Sequence, residues 1–150
     1  MCEPGNMGTL IRSGYGLGVD GFILVGGCDA WSPKVIRAAM GMNLYDMPVV
    51  EWTWDEVSLY VKRLEASVGS VQIVVADASD DNIPYRKIDF TQHSIIVIGS
   101  EATGVSDRVF HLPGTIIQTR IPMMRSLESF NAAIAGSVII AEASMQRRQD

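Results

Sequence analysis

Long apolar runs are missing from this 150-residue chain. No stretch approaches the roughly 18 uninterrupted apolar residues that begin to suggest a membrane-spanning helix, so no membrane partner is expected. The opening residues MCEPGNMG hold no basic region followed by an apolar stretch, so no secretory leader is read there. Cysteine is scarce. Cys2 and Cys28 form neither metal-ligand spacing nor a disulfide framework, which fits a reducing, intracellular setting, cytoplasm or organelle matrix, and suggests no metal. The phosphate-cradling motif G-x-x-x-x-G-K-[ST] is absent, which leaves ATP or GTP hydrolysis without support. Positive charge is in deficit: 12 Lys and Arg against 17 Asp and Glu give a formal net charge of −5. A protein whose main task is coating nucleic acid would carry the opposite balance, although a local basic patch remains compatible with it.

What is present is a globular composition, 47% hydrophobic and 19% charged, at a length that supports one domain with a real core. Strand-like and helix-like segments alternate. Residues 4–16 read as a turn and a short helix, and 21–27 as a buried strand. Ser32 followed by Pro33 is a strong helix start. Residues 47–52 read as a short strand, and Asp55 is read as the cap of the next helix. The continuous apolar runs at 70–78 and 93–99 are typical of parallel strands covered on both faces. The polar stretch 79–92 between them reads as a loop. A short helix is expected over 105–112, a last strand over 115–123, and a long helix from Ser129 to about Arg148. This rhythm predicts a single α/β domain over 1–150, with a mostly parallel sheet flanked by helices.

One familiar motif is set aside. Gly16-Leu17-Gly18-Val19-Asp20-Gly21 matches G-x-G-x-x-G, but the dinucleotide-binding version follows a strand and opens a helix. Here a helix precedes and a strand follows, so the glycines serve a helix-to-strand turn.

Three clusters carry chemistry. The first is Pro4 to Arg12, in which Asn6 can cap the helix and Arg12 lies one to two turns further on. The second is Gly99-Ser100-Glu101-Ala102-Thr103-Gly104, which follows an apolar strand. Ligands of open α/β sheets sit at the carboxyl ends of strands. Tight glycine loops there commonly close on phosphate, yet an acid occupies the middle of this one. Such a loop suits hydroxyl, amine or guanidinium donors, or a cationic ligand. The ordinary alternative is a glycine turn with Glu101 exposed or capping. The third runs from Ile121-Pro122-Met123 to Ser129-Phe130-Asn131, where a strand ends at a proline and a helix opens, with Ser129 read as its cap and Asn131 in its first turn.

In this order the three clusters resemble the SpoU (TrmH-like) family of RNA ribose 2′-O-methyltransferases, in the SPOUT superfamily. Asn6, Gly8 and Arg12 match the family's N-x-G-x-x-x-R segment. Gly99, Glu101 and Gly104 match its G-x-E-x-x-G loop, and Ile121, Pro122, Ser129, Phe130 and Asn131 match its I-P and S-L-N segments, with Phe130 in place of the usual leucine. Residues 29–41 resemble a segment of rRNA-modifying members. The resemblance covers essentially the whole chain. It implies a C-terminal trefoil knot, a homodimer, S-adenosyl-L-methionine as cofactor, and RNA as substrate, rRNA ahead of tRNA. It implies that Asn6, Arg12, Glu101, Ser129 and Asn131 serve catalysis, and that Gly99, Glu101, Gly104, Ile121, Met123, Ser129 and Phe130 hold the cofactor. It also implies a strand before the Asn6 segment. Only three residues precede Pro4, so that strand and any N-terminal RNA-binding extension are expected outside the 150 residues.

The implied cofactor answers the question posed by the acidic glycine loop, because it carries a sulfonium, an ammonium and ribose hydroxyls but no phosphate. Arginine is a poor proton acceptor. Arg12 is therefore assigned to the RNA phosphate and the developing alkoxide charge, and Glu101 to holding Asn6 or Arg12 in place. The last helix carries Ile134, Val138, Ile139 and Ile140 around much of its circumference, more apolar surface than one sheet face needs, which points to a dimer. A noncatalytic RNA-binding or assembly module with the same fold is the alternative.

Overall fold

The computed structural model describes residues 3–42, 47–125 and 128–148; Cys2 lies outside them. The order of elements is α1 (Pro4–Gly16), β1 (Phe22–Leu24), α2 (Pro33–Ala38), β2 (Val49–Glu51), α3 (Trp54–Val68), β3 (Gln72–Ala76), β4 (Ile83–Pro84), β5 (Ser94–Ile98), β6 (Thr115–Arg120) and α4 (Ala132–Arg147), with single 3-10 turns at Tyr85–Lys87 and Asp107–His111. Every strand pairing is parallel. The strands form two sheets, one of β1 and β2 and one in the order β4-β6-β3-β5. The expected α/β architecture is present, divided between two sheets. The helix-to-strand reading of Gly16–Gly21 also holds, since α1 precedes these glycines and β1 follows them.

Strand β3 is the centre of the larger sheet, and its alternation sorts two cores. Ile73 and Val75 face one side with Val57 and Val61 of α3, joined by Val71, Val109 and Leu112. Val74 faces the other side with Phe90, Ile88, Tyr85 and Ile139 and Ala143 of α4. Opposite pointing of successive residues is a property of any strand; apolar residues at both parities give a strand buried on both faces. A third core lies between α1 and α2, built on Met7, Ile11, Val35 and Ala39.

Several boundaries and caps differ from the sequence reading. Helix α1 starts at Pro4, with no separate turn, and is capped by Glu3, whose side chain accepts from the Gly5 N–H at 3.3 Å. Asn6 is therefore inside the first turn, not its cap. Helix α3 is capped by Thr53, not Asp55: the Thr53 hydroxyl accepts from the Glu56 N–H, and the Glu56 carboxylate accepts from the Thr53 N–H at 2.7 Å. This reciprocal box uses two orphan donors at once, and its hydrogen bonds hold the Glu56 carboxyl below the usual range. Helix α4 begins at Ala132 with Asn131 as its cap, not Ser129.

The polar stretch 79–92 is not a plain loop. Ile83 and Pro84 pair with β6, and the buried Thr119 hydroxyl donates to the Ile83 carbonyl at 2.7 Å. The end of α4 holds the remainder: Gln146 Oε1 accepts from the Phe90 N–H at 2.8 Å, and Arg147 donates to the carbonyls of Phe90 and Gln92 at 2.6 and 2.7 Å. Backbone groups that a sheet ladder would have satisfied are met here by side chains.

Helix α4 spends its wide apolar circumference inside the chain. Ile139 enters the core on β3, while Ile140 packs with Leu10 of α1 and with Ala133. Of the residues read as dimer surface, Ile134 stays exposed. No helix among the described residues is long and apolar enough to cross a membrane.

Candidate functional site

The packing of α1 against α4 and β5 brings the three sequence clusters to one place. Leu10, Ala133, Ile140 and Ile98 form a common core. The first turn of α1, the start of α4 and the loop after β5 therefore meet at the carboxyl end of β5, where an α/β sheet presents its ligands.

The loop after β5 is closed by its own backbone. The Ser100 N–H donates to the Gly104 carbonyl and the Gly104 N–H to the Ser100 carbonyl, both at 2.9 Å. The hydroxyls of Ser100 and Thr103 lie 2.6 Å apart, and the Thr103 N–H donates to Ser100 Oγ at 3.1 Å. Two glycines make this possible. Gly104 has φ +66°, in the left-handed region that favours glycine. A Cβ on Gly99 would stand 2.5 Å from the Gly104 carbonyl carbon. The loop thus presents Glu101 at an exposed tip.

From that tip a run of hydrogen bonds crosses all three clusters. Glu101 Oε1 accepts from Asn6 Nδ2 at 2.5 Å. Asn6 Oδ1 accepts from Asn131 Nδ2 at 3.1 Å. Asn131 Oδ1 accepts from the N–H groups of Ala133 and Ile134 at 3.0 and 3.2 Å. Both asparagine amides are thereby given one orientation, set by an anion at one end and a helix N-terminus at the other. The expectation that Glu101 holds Asn6 or Arg12 resolves to Asn6.

Arg12 is exposed on α1, with no hydrogen bond or ion pair among the described residues. Two other arginines are occupied: Arg108 pairs with Asp55 at 2.7 Å and Arg120 with Asp80 at 3.5 Å. Ser129 and Phe130 are exposed just ahead of α4, and among the described residues neither makes a polar contact with the Asn6–Glu101 pair. Ile121 and Met123 line a separate recess of about 350 Å³ at the carboxyl ends of β3 and β6, together with Ala78, Asp80, Arg120 and Arg125. Asp80 and Arg120 escaped the sequence reading. The signal available was an acid just past one strand and an arginine ending another, which carries meaning only once β3 and β6 are known to be neighbours.

Solved structures share this fold. The SpoU methyltransferase AviRb of Streptomyces viridochromogenes, in complex with the cofactor AdoMet, superposes with TM-score 0.88 at 33% identity over 97% of this chain and 57% of that one. An AdoMet-bound rRNA methyltransferase of Sinorhizobium meliloti gives TM-score 0.78 at 29% identity over 94% of this chain and 51% of that one. Among curated proteins, a 23S rRNA (uridine(2479)-2′-O)-methyltransferase of Streptomyces viridochromogenes is 35% identical over 97% of this chain and 50% of its own length. A 23S rRNA (guanosine(2553)-2′-O)-methyltransferase of Bacillus subtilis is 30% identical over 92% of this chain and 52% of its own length. The chain spans about half the length of these curated relatives. The SpoU rRNA Methylase family matches residues 1–141, and the chain belongs to that family.

Proposed function

We propose that the chain is the S-adenosyl-L-methionine-dependent unit of an RNA ribose 2′-O-methyltransferase, acting on rRNA ahead of tRNA. The observation that carries this reading is the Glu101–Asn6–Asn131 run of hydrogen bonds, which ties three distant segments together, with Arg12 exposed further along α1. The names of the relatives above support the same chemistry.

The residues at the carboxyl end of the sheet fit the cofactor. The recess after β3 and β6 falls within the size range of small-molecule sites. It offers the Asp80 carboxylate for an ammonium, Arg120 and Arg125 for a carboxylate, and Ile121 and Met123 for an apolar ring. The Gly99–Gly104 loop and Phe130 would close the site from the β5 side. When bound, the cofactor supplies an activated methyl group. The protein's task is then to place a ribose 2′-hydroxyl in line with that methyl and to ease loss of its proton. Arg12 would bind an RNA phosphate and stabilise alkoxide charge as it develops. Glu101 spends Oε1 on Asn6, which suits a positioning role; the proton then passes to phosphate or water. The passage of the chain from β6 to α4 is where the family's knot would lie. A homodimer belongs to the same reading, supported by the exposed Phe130 and Ile134.

Transfer of label from methyl-labelled S-adenosyl-L-methionine to total RNA, followed by mapping of 2′-O-methyl positions, tests the proposal. Labelled ribose is the expected product; RNA binding without transfer would select the noncatalytic alternative.

Asn131 allows its two tasks to be separated. Asn131→Asp keeps a good helix cap but removes the amide donor to Asn6. Its unfolding free energy should stay within about 0.5 kcal/mol of the parent, whereas Asn131→Ala should lose about 1 kcal/mol. Methyl transfer should fall roughly tenfold in both, the size of one hydrogen bond to an oriented group. Equal stability losses in the two variants, measured in urea, would contradict this division of roles.

A further inference from the structure

Two of the three tryptophans are spent on packing: Trp52 and Trp54 lie against the core around Val57 and Val61. Trp31 is not. It is 46% exposed, just ahead of α2, although an indole carries a large apolar area that burial would favour. Its backbone is fixed on both sides. Ala30 before it is fully buried. The Trp31 N–H donates to Asp29 Oδ1 at 2.8 Å and the Ser32 N–H to the Asp29 carbonyl at 3.3 Å. Ser32 Oγ in turn accepts from the Val35 N–H at 3.4 Å and caps α2. The ring is held out to solvent from a hydrogen-bonded turn.

Lys34 and Arg37 follow at intervals of three residues. Both are exposed, and a spacing of three makes them neighbours on the surface of a helix. Neither forms an ion pair among the described residues. Helices α1 and α2 together carry Arg12, Lys34 and Arg37 and no acid, in a chain whose formal net charge is −5. The acid nearest to Trp31 in sequence, Asp29, turns one carboxylate oxygen back on the Trp31 N–H. The two helices meet at close range. A Cβ on Gly8 would lie against Ala38 and 2.7 Å from the Val35 carbonyl oxygen. Gly8 stands between Asn6 and Arg12 on α1, so the cations of α2 adjoin the helix that carries both.

We propose, on the reading that RNA is the substrate, that Trp31, Lys34 and Arg37 form a contact strip for single-stranded RNA beside the Asn6 site. Trp31 stacks on an unpaired base. Lys34 and Arg37 neutralise two backbone phosphates next to the nucleotide whose ribose enters the site. An indole face is a stacking platform for any base, and each phosphate neutralised releases counterions. Charge complementarity alone would also suit an acidic peptide. Such a peptide satisfies the two cations but offers no base to the indole.

The test measures binding of a labelled single-stranded RNA of about 12 nucleotides, within the usual site size for such surfaces, across a salt series and without cofactor. Trp31→Ala should weaken binding about 5- to 150-fold, the range for loss of one stacked base, with the salt slope unchanged. Trp31→Phe should keep most of the affinity. Lys34→Gln combined with Arg37→Gln should lower the slope of log affinity against log salt by about 1.4, since each phosphate of a single strand accounts for roughly 0.7. All these variants should keep the parent's unfolding midpoint and its affinity for S-adenosyl-L-methionine, because the altered side chains are exposed and lie outside the recess around Ile121. Parent-like RNA binding in both Trp31→Ala and the double variant overturns the strip, as does an absence of RNA binding by the parent. Polyglutamate bound as tightly as RNA, with Trp31→Ala without effect, overturns it in favour of an acidic protein partner. Methyl transfer keeps the two proposals apart. If RNA binding falls as expected while the parent transfers no methyl group, the strip stands and the methyltransferase reading fails. If the triple variant W31A/K34Q/R37Q methylates RNA with the parent's kcat/KM, the strip fails and that reading stands.

Discussion

Arg12→Ala should lower the rate of methyl transfer by about 10²–10³-fold, the range seen when one preorganised group facing transition-state charge is removed. Affinity for S-adenosyl-L-methionine should change less than about twofold, an amount well below the 1.4 kcal/mol of a tenfold change. The argument rests on where the side chain is. Arg12 is exposed, is held by no other side chain among the described residues, and lies outside both the Gly99–Gly104 loop and the recess around Ile121. Its removal leaves no buried group unpaired, so stability should stay within the roughly ±0.5 kcal/mol typical of surface changes. Arg12→Lys should recover only part of the rate, since lysine restores the charge without the planar fork that matches phosphate. Single-turnover transfer and calorimetry on the same samples decide the matter. A variant that bound cofactor poorly yet transferred normally at saturating cofactor would reverse the assignment of Arg12.

Gly99→Ala should have the opposite signature, with cofactor affinity falling at least tenfold and stability falling with it. The added Cβ would lie 2.5, 2.7 and 2.8 Å from the Gly104 carbonyl carbon, its oxygen and the Val105 nitrogen. All three are backbone atoms of the closed loop, so no side chain can swing aside to make room. Relief requires breaking the paired Ser100–Gly104 bonds, which displaces Glu101 and frees Asn6. Overpacking of this kind typically costs about 1–3 kcal/mol. Gly16→Ala is the control: a Cβ there meets nothing within 4 Å, and alanine at a helix end should be neutral or slightly stabilising. If Gly99→Ala binds cofactor as well as Gly16→Ala does, the loop is not part of the cofactor site.

Much of this molecule can be read without coordinates, and the reasons are local. Ser32-Pro33 starts a helix because a hydroxyl acceptor and a preset φ act within one turn. The runs of β3 and β5 announce strands covered on both faces, because only such strands tolerate apolar residues at both parities. The order of the Asn6, Glu101 and Asn131 clusters likewise identified the family. Caps proved less legible. Asn6, Asp55 and Ser129 each have the right chemistry to cap a helix, and in each case a neighbour does so: Glu3, Thr53 and Asn131. Choosing among adjacent acceptors turns on a few tenths of a kcal/mol, and tertiary contacts outweigh that.

By itself the sequence determined most of the segments that become helices and strands, the parallel α/β class, and the residue types available for chemistry, because periodicity and turn chemistry act over a few residues; β4 lay outside that reading, and the short helix expected over 105–112 is a single 3-10 turn at Asp107–His111. Only the tertiary structure decided what those residues do to one another. Packing of Leu10 against Ile140 and Ile98 sets α1 beside α4 and β5, and from that contact follows the pairing of Asn6 with Glu101, 95 positions away, and with Asn131, 125 positions away. The same packing leaves Arg12 facing solvent. The pairing of β3 with β6 brings Asp80 to Arg120, and the polar stretch 79–92 acquires its structure from β6 and the end of α4. Such contacts depend on the summed burial of several side chains from separate elements, and no local pattern encodes that sum.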